Sequence, residues 1–287
     1  MKKINRRDAL AQSVLVGTAV SGGLAATSTA QAAEAASQPA AKPKRDWWDQ
    51  EFRMLVTLGE STTAGGWASY RERAWAHQLA RMINEFQRIP VQLKNVGIGA
   101  NAISTKSPCY PHSGKPAALE RLEPHVIDNK PDLLVVSYGL NDARGGTPLD
   151  LFANEMRTLI DRVRATINPL IVLLGPYYMS AFDNFGPTWN HATLEIFHDF
   201  NHKTKAVADE KDCLFVDLLS AYGNADWLVH DDRVHANDLG HRLVANQIFS
   251  VLAASCSGLA KETKELEKHI PRWRDESVLR NVFENKD

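Results

Sequence analysis

The chain has 287 residues, of which 44% are hydrophobic and 23% charged, and its formal net charge is −1. This composition suits one globular domain of about 200–230 residues with extra segments at the ends, long enough to bury a core without cross-links. A charge so close to neutral gives no reason to expect nucleic acid or an anionic membrane as a partner. Beyond the N-terminal region, no stretch approaches the roughly 18 apolar residues of a spanning helix, so no stable membrane anchor is expected.

Residues 1–32 contain the three parts of an export signal in the right order. A basic head that includes Arg6-Arg7 precedes a mildly apolar stretch, and Ala30-Gln31-Ala32 is a small-residue cleavage site. This arrangement resembles a twin-arginine signal peptide, which the twin-arginine export machinery reads and which is then removed. The alternative is a disordered basic N-terminus. We expect an exported protein, periplasmic or secreted, with residues 33–46 as a linker rich in Ala, Pro and Lys.

The first predicted strand, at residues 53–58, leads directly into Gly59-Glu60-Ser61. A serine at a strand-to-helix turn exposes its hydroxyl where backbone N–H groups converge, which is the geometry that a serine nucleophile needs. The alternative is that Ser61 only caps the following helix.

Helical spacing of apolar residues predicts a helix near residues 68–87. The side chains expected to face the sheet are Trp75, Leu79, Met82, Ile83 and Phe86. A second strand is predicted at residues 91–96, and it runs into a loop of small residues at 97–101. A further helix is predicted around residues 116–129, where Pro131 ends it.

The second half of the chain repeats this alternation. The predicted strands are 132–138, 170–174 and 213–217, and the predicted helices begin near residues 148, 190 and 239. The first of these strands ends in Gly139-Leu140-Asn141-Asp142, where Asn141 is either a functional amide or an ordinary strand-ending turn residue.

A long aromatic loop follows the fourth predicted strand and extends to Trp189. Such loops often pack on the surface. Because this one leaves the sheet at the same edge as Ser61, the rings of Tyr177, Tyr178 and Trp189 are candidates for stacking on a sugar or holding an acyl chain.

Short apolar strands that alternate with helices of a dozen or more residues predict an α/β fold with a parallel sheet covered on both faces. In such sheets, ligands bind beyond the carboxyl ends of the strands. Ser61, the loop at 97–101 and Asn141 all directly follow strands, so we expect them to share one crevice.

A serine nucleophile needs a base, and the base needs an acid to orient it. His235 is the candidate base and Asp232 its candidate partner, with Asp231 as a rival. His230, His235 and His241 also allow a metal-site interpretation, although their spacings of four and six residues do not fit an H-E-x-x-H motif. The three cysteines, Cys109, Cys213 and Cys256, form no C-x-x-C pair.

Four separated blocks resemble the SGNH (GDSL-type) hydrolase family and occur in the family's order. They are Gly59-Glu60-Ser61, Asn95-Val96-Gly97-Ile98-Gly99-Ala100-Asn101, Gly139-Leu140-Asn141-Asp142 and Asp232-Arg233-Val234-His235. The resemblance implies a flavodoxin-like three-layer α/β/α sandwich with a five-stranded parallel sheet. The resemblance covers about residues 52–256 and implies chemistry that needs no metal; no other cofactor is expected. We expect a hydrolase domain over residues 47–258, followed by an extension at 259–287 that is rich in charged residues.

Family membership also implies roles for individual residues. It maps the nucleophile onto Ser61, the base onto His235 and the partner of the base onto Asp232. The implied oxyanion donors are the backbone N–H of Ser61, the backbone N–H of Ala100 and the side chain of Asn141.

Two departures from the family pattern stand out. Glu60 replaces the usual aspartate, and Ala100 replaces the usual oxyanion glycine. Ala100 keeps an N–H to donate if its backbone avoids the φ > 0 region, and Gly99 is the fallback donor.

These features predict an exported serine esterase that acts on small acyl esters, with an acetyl group on a carbohydrate as the preferred substrate class. A lipase or thioesterase is the first alternative. A metal-dependent hydrolase and a non-catalytic binding module are the remaining ones.

Overall fold

The computed structural model describes residues 44–113 and 115–270, together with Ser277 and Arg280. The predicted signal peptide at 1–32 and residues 33–43 of the predicted linker lie outside these residues. So do Trp273, Val282 and Phe283, the apolar side chains of the charged C-terminal extension.

Five parallel strands form one sheet in the order β2-β1-β3-β4-β5. The strands are β1 (Met54–Gly59), β2 (Gln92–Asn95), β3 (Leu133–Ser137), β4 (Leu170–Leu174) and β5 (Leu214–Val216). This strand order is that of flavodoxin-like folds, and it places the change of direction between β1 and β3. The predicted fold class is therefore confirmed, and each predicted strand agrees with the observed one to within one residue at either end.

The two central strands explain why the sheet could be identified from sequence. All five residues of β3 and all five of β4 are buried. A strand covered by helices on both faces must be apolar along its whole length, because neither face meets water. At the edge, β2 alternates between exposed and half-buried residues, as expected for a strand with one open side.

Helices cover the sheet. They are α1 (Ser61–Ala64), α2 (Trp75–Asn84), α3 (Tyr110–Ser113), α4 (Leu122–His125), α5 (Leu140–Arg144), α6 (Leu149–Arg164), α7 (Leu194–Glu210), α8 (Leu218–Tyr222), α9 (Asp238–Ser255) and α10 (Lys261–Leu266). The long helices pack in pairs, α2 against α9 and α6 against α7, and each pair buries an apolar stripe. Together with the sheet they make the three layers.

The helix predicted at residues 68–87 is shorter than expected. A 3₁₀ turn occupies Arg71–Arg73, and α2 begins only at Trp75 because Ala74 is extended. In the segment before α2, Ser69 and Arg73 donate hydrogen bonds of 2.7–2.8 Å to the Asp238 carboxylate. Phe86 lies beyond the end of α2 and is 40% exposed, so the expectation that it faces the sheet is wrong.

The continuous helix predicted around residues 116–129 is also wrong. This region is divided into a 3₁₀ turn at Ala118–Glu120, the helix α4, and a second 3₁₀ turn at Ile127–Asn129. Arg121 leaves helical geometry, with φ −115° and ψ 11°. Its buried guanidinium donates to Tyr138 Oη at 2.7 Å and Asn101 Oδ1 at 3.1 Å, and these tertiary bonds override local helix propensity.

Cys109, Cys213 and Cys256 are buried free thiols. Burial raises their pKa values to about 12, about 11 and about 12, respectively. Within the described ranges, no single helix is long and apolar enough to cross a membrane, although the bent pair Asp238–Ser255 and Ser257–His269 meets the length and composition criteria when combined.

Candidate active site

Ser61 is the first residue of α1 and stands directly beyond the carboxyl end of β1. The turn before it is too tight for a side chain at Gly59, because a Cβ there would overlap Thr63 Oγ1 and the Ser137 carbonyl oxygen. Gly97 is equally constrained, since a Cβ would overlap the backbone of Thr63 and Ala64. These close approaches bring the loop after β2 against the serine turn.

A row of hydrogen bonds joins Ser61 to the loop before α9. Ser61 Oγ lies 2.7 Å from His235 Nε2, and His235 Nδ1 lies 2.6 Å from Asp232 Oδ2. When Nδ1 carries the ring proton and donates a hydrogen bond to the carboxylate, Nε2 is unprotonated and can accept the proton of the Ser61 hydroxyl. The structure thus brings together three side chains from opposite ends of the sequence.

Asp232, and not its neighbour Asp231, is the carboxylate that contacts His235. Its Oδ1 also accepts the backbone N–H groups of Val234 at 3.0 Å and His235 at 3.1 Å, which fixes the carboxylate in place. Asp231 is exposed. Of the two candidate partners, only Asp232 is therefore hydrogen-bonded to the His235 ring.

The electrostatic surroundings favour the neutral form of the His235 imidazole. Burial lowers the pKa of His235, although the hydrogen bond and charge of Asp232 act in the opposite direction. Burial alone would raise the pKa of Asp232, but hydrogen bonds from Val234 and His235 outweigh it and lower that pKa. A neutral imidazole beside an ionised carboxylate is the protonation state that a general base requires.

Trp67 covers the face of the imidazole, and sequence reasoning missed it. The rings of Trp67 and His235 are parallel to within 6°, with centroids 3.8 Å apart. Trp67 has φ 65°, a left-handed conformation, and is 45% exposed. The only sequence signal is its position in a glycine-rich turn shortly after Ser61, which does not by itself specify a partner.

His241 contributes to this turn from inside the core. It lies on α9 and is fully buried. Its Nδ1 accepts the Trp75 backbone N–H at 3.3 Å, and its Nε2 lies 3.0 Å from the Gly66 carbonyl oxygen. Both ring nitrogens are therefore occupied by backbone groups. Among the residues described, no group of three or more His, Cys, Asp or Glu is arranged to hold a metal ion.

The predicted oxyanion donors border the same pocket as Ser61. Ala100 and Asn141 both line it, as does Gly99. Ala100 has φ 55°, so its backbone does not avoid the φ > 0 region. A positive φ strains an alanine but leaves its backbone N–H in place, so Ala100 stays a candidate donor beside Gly99. Asn141 Nδ2 donates to the Asn101 carbonyl oxygen at 3.2 Å, which uses one of its two N–H bonds and leaves the other for a ligand.

Glu60 connects the serine turn to the asparagine turn. Its carboxylate accepts the backbone N–H of Asn141 at 2.8 Å from a fully buried position. Burial raises the pKa of Glu60 well above its ordinary value, and the nearby Asp142 raises it further. The longer glutamate, which replaces the family's usual aspartate, therefore still braces the turn.

Asp142 is surrounded by hydrogen-bond donors from neighbouring loops. It is completely buried and accepts hydrogen bonds from Ser107 Oγ at 2.6 Å and from Thr147 Oγ1 and Ile103 N at 3.2 Å. Burial raises the pKa of Asp142 to about 6, against the opposing effect of these donors. The carboxylate fastens two loops to α5.

The pocket itself has a volume of about 400 Å³. Its lining residues are Ser61, Trp67, Gly99, Ala100, His112, Lys115, Asn141, Arg144, Trp189 and His235. Of these, Trp67, His112, Lys115 and Arg144 were not predicted. A larger cleft of about 540 Å³ lies beside α2 and α9, but it contains none of the predicted site residues, so we assign the site to the pocket that holds Ser61.

The aromatic loop contributes only one of its three predicted side chains to this pocket. Trp189 lines it, whereas placing Tyr177 and Tyr178 there is wrong. Tyr177 is buried, with its hydroxyl 2.7 Å from Ser137 Oγ, and the Tyr178 hydroxyl donates to Asp226 at 2.8 Å. Both rings are buried, and each hydroxyl group has a polar partner.

Solved structures with the same fold include several esterases. An acetylxylan esterase, Axe2, from Geobacillus stearothermophilus is 20% identical with a TM-score of 0.54, and the match covers 70% of this chain and 94% of that one. A lipase/acylhydrolase from Enterococcus faecalis is 20% identical with a TM-score of 0.55, covering 70% of this chain and 96% of that one. A putative lipolytic protein of the G-D-S-L family from Desulfitobacterium hafniense DCB-2 is 17% identical with a TM-score of 0.54, covering 69% and 99%. At these identities the likeness shows the fold alone.

Comparison of the sequence identifies the family, which the structural likeness does not. A search of curated proteins returns no match. The sequence profile of the GDSL-like lipase/acylhydrolase family matches residues 57–243, which span more than half of the chain and include Ser61, Asn141, Asp232 and His235. The protein therefore belongs to the GDSL-like lipase/acylhydrolase family.

Proposed function

We propose that this protein is an exported serine esterase that hydrolyses small acyl esters. The observation that carries the proposal is the hydrogen-bonded row from Ser61 Oγ through His235 to Asp232, with distances of 2.7 and 2.6 Å. A hydroxyl, a neutral imidazole and a carboxylate in this order form the constellation that activates serine for acyl transfer.

Catalysis proceeds in two steps. Ser61 Oγ attacks the ester carbonyl carbon while His235 Nε2 takes the hydroxyl proton, and the tetrahedral intermediate then collapses. The alcohol leaves with the proton from His235, and an acyl-enzyme remains on Ser61. Water then attacks the acyl carbon with His235 again as base, which releases the carboxylic acid and restores the serine.

Negative charge on the carbonyl oxygen is stabilised by donors around the pocket. We assign this role to the backbone N–H groups of Ser61 and Ala100 and to the free N–H of the Asn141 side chain. Donors that are fixed before the reaction stabilise the developing charge without reorganisation. The buried link from Glu60 to Asn141 holds the serine and asparagine turns in one arrangement.

The size and lining of the pocket favour a short acyl group over a long one. A volume of about 400 Å³ with Trp67 and Trp189 in its lining suits an acetyl ester with a sugar ring that stacks on an aromatic face. We propose a carbohydrate acetyl ester as the substrate class. A lipase or thioesterase would instead turn over long acyl chains faster, so a series of p-nitrophenyl esters of increasing chain length separates these activities.

Export rests on the sequence of residues 1–32, with their Arg6-Arg7 pair and the cleavage site at Ala30-Gln31-Ala32. N-terminal sequencing of the mature protein should begin after residue 32. Replacing Arg6-Arg7 with a lysine pair should block export if the twin-arginine machinery carries the chain.

The decisive experiment concerns Ser61. The Ser61→Ala variant should lose turnover of p-nitrophenyl acetate and labelling by a fluorophosphonate probe, whereas Ser250→Ala, an exposed serine on α9, should keep both. Wild-type turnover in Ser61→Ala would refute the proposal, and so would labelling of another residue. The metal-dependent alternative predicts loss of activity in EDTA, whereas a serine esterase should be unaffected.

A further inference from the structure

Arg144 places a buried cation in the wall of the pocket that contains Ser61 and His235. It is the last residue of α5 and is only 9% exposed. Its guanidinium carbon lies 4.8 Å from the ring centroid of Phe185 and 5.5 Å from that of Trp189. Two rings of the aromatic loop therefore flank the charged group, which orients it and shields it from water.

The described residues supply this cation with no ion-pair partner. Within the described part of the chain, no carboxylate lies within 4.0 Å of the Arg144 nitrogens, and Nε is buried without a hydrogen-bond partner. Burial accordingly lowers the pKa of Arg144. A buried charge without a partner is costly, and the groups that offset such a cost in proteins are anions that hydrogen-bond to it.

The nearest acidic groups are already engaged. Glu60 and Asp232 both influence Arg144 electrostatically. However, Glu60 accepts the Asn141 N–H, and Asp232 accepts N–H groups of the histidine loop and the His235 ring. Neither carboxylate can turn toward Arg144 without breaking the contacts that hold the site together.

Other lining residues add positive charge and no negative charge. Lys115 lies near Gly99, where its Nζ donates to the Gly99 carbonyl oxygen at 2.8 Å, and His112 is close by. Among the described lining residues there is no aspartate or glutamate. A cleft lined by one sign of charge favours a ligand of the opposite sign.

We propose that the substrate carries a carboxylate beside the ester that is cleaved, and that Arg144 binds this carboxylate. The proposal rests on the esterase function proposed above and narrows its substrate class. The guanidinium is a planar fork that matches a carboxylate with two parallel hydrogen bonds. Acylated sugar acids have this chemistry, with an ester and a carboxylate on one small ring.

A matched pair of esters tests the proposal. We would compare kcat/KM for para- and meta-acetoxybenzoate with the neutral acetoxybenzamides, each corrected for its uncatalysed hydrolysis. The wild-type enzyme should prefer the carboxylate of at least one pair by about 10- to 100-fold, the range expected for a charge-assisted hydrogen bond. Arg144→Met should abolish this preference, and Arg144→Lys should keep part of it, since a point charge remains without the fork.

The exposed Arg233 provides the control, because its guanidinium carbon also lies over the Phe185 ring, at 5.9 Å, but outside the pocket lining. In Arg233→Met the ratio between the two esters should stay within about twofold of wild type, since exposed charges contribute little. An arginine that only stabilised the oxyanion would affect both esters equally. An unchanged ratio in Arg144→Met therefore overturns the proposal, as does a wild-type enzyme that prefers neither carboxylate.

Binding gives a readout that does not depend on turnover. Calorimetry of Ser61→Ala with the same esters should show tighter binding of the carboxylate, lost when Arg144→Met is added. Equal affinities for the carboxylate and the amide overturn the proposal even if the enzyme is an esterase. Failure of the esterase function would appear instead as absent turnover of p-nitrophenyl acetate by wild type, with the Arg144-dependent binding intact.

Discussion

The serine side and the histidine side of the site are held in different ways. Ser61 and Asn141 are anchored from beneath by buried carboxylates, since Glu60 accepts the Asn141 N–H and Asp142 ties two loops to α5. His235 lies on a loop that also contains Asp231 and Arg233, and both of these residues are exposed. Substitutions on the serine side should therefore affect both stability and rate, whereas those on the histidine side should affect mainly rate.

The histidine loop is fixed by a few local bonds. A single antiparallel bridge pairs Val229 with Ala236, and the His230 N–H donates to the His235 carbonyl oxygen at 2.7 Å. The Asn237 side chain then caps α9 by accepting two backbone N–H groups at 3.0 Å. Val229, Val234 and Ala236 of this loop are buried, whereas Asp231 is exposed and Asp232 is half-buried. Replacing a polar residue of the loop should therefore leave its core contacts in place.

The largest effect should come from the carboxylate on that loop. Asp232→Asn should lower kcat for p-nitrophenyl acetate by about 10⁴-fold, because the amide no longer fixes the tautomer or stabilises the imidazolium. Asp231→Asn is the matched control and should stay near wild type. The melting temperatures of the two variants should differ little. Comparable rate losses in both would contradict the assignment of Asp232.

The acid limb of the wild-type rate profile tests the same loop. Because burial lowers the pKa of His235 and only the neutral ring acts as base, kcat/KM should fall with decreasing pH around a midpoint below 6.5. Since Asp232 raises the pKa of His235, the midpoint of the Asp232→Asn profile should lie at a still lower pH. A wild-type midpoint above 6.5 would mean that the carboxylate outweighs burial.

On the serine side, Asn141→Ala should reduce kcat by about 10²–10³-fold with little change in KM, as expected when an oxyanion donor is lost. It should also cost about 1 kcal/mol of unfolding free energy, because the Asn101 carbonyl oxygen loses its donor. Asn154→Ala, on the exposed face of α6, serves as control for both measurements. A rate loss below tenfold would exclude Asn141 as a principal donor.

The stacking of Trp67 on His235 should contribute less to the rate than the Asn141 side chain does. Trp67→Ala should lower kcat/KM by about 3- to 10-fold, the rate equivalent of an aromatic pair, because the imidazole loses the indole face 3.8 Å away. Trp67→Phe should recover part of the rate. Trp227→Ala, at a tryptophan that is 74% exposed, controls for loss of an indole and should have no effect.

The features that the sequence predicts well are those set by local pattern. The strands are buried apolar runs between polar ends, and the catalytic candidates stand where those runs stop, so β3 and Asn141 could both be located from sequence. Arg121 and Trp67 depend instead on partners far away in the chain. The helix around Arg121 is broken by bonds to Asn101 and Tyr138, and Trp67 stacks on a ring 168 positions later.

The tyrosines of the aromatic loop illustrate the same limit. Tyr177 and Tyr178 leave the sheet at the predicted edge, but their direction is decided by the partners of their hydroxyl groups, the buried Ser137 for Tyr177 and the exposed Asp226 for Tyr178. Arg144 was overlooked because a lone arginine after Gly139-Leu140-Asn141-Asp142 carries no spacing signal. Its importance comes from the absence of an ion-pair partner among the described residues, which only three-dimensional packing reveals.

The smallest effect concerns strain in the loop after β2, on the serine side. Ala100 has φ 55°, a conformation that costs an alanine about 1–2 kcal/mol and a glycine almost nothing. Glycine also makes the unfolded chain more flexible, which offsets part of this gain. Ala100→Gly should therefore stabilise the fold by up to about 1 kcal/mol, which corresponds to a rise in melting temperature of about 2–4 °C. Ala102→Gly, two residues on and fully buried without a positive φ, should destabilise. Equal losses of stability in both variants would show that Ala100 is not strained. A gain in stability in Ala100→Gly alone would show that the native loop holds the Ala100 N–H in place at a conformational cost.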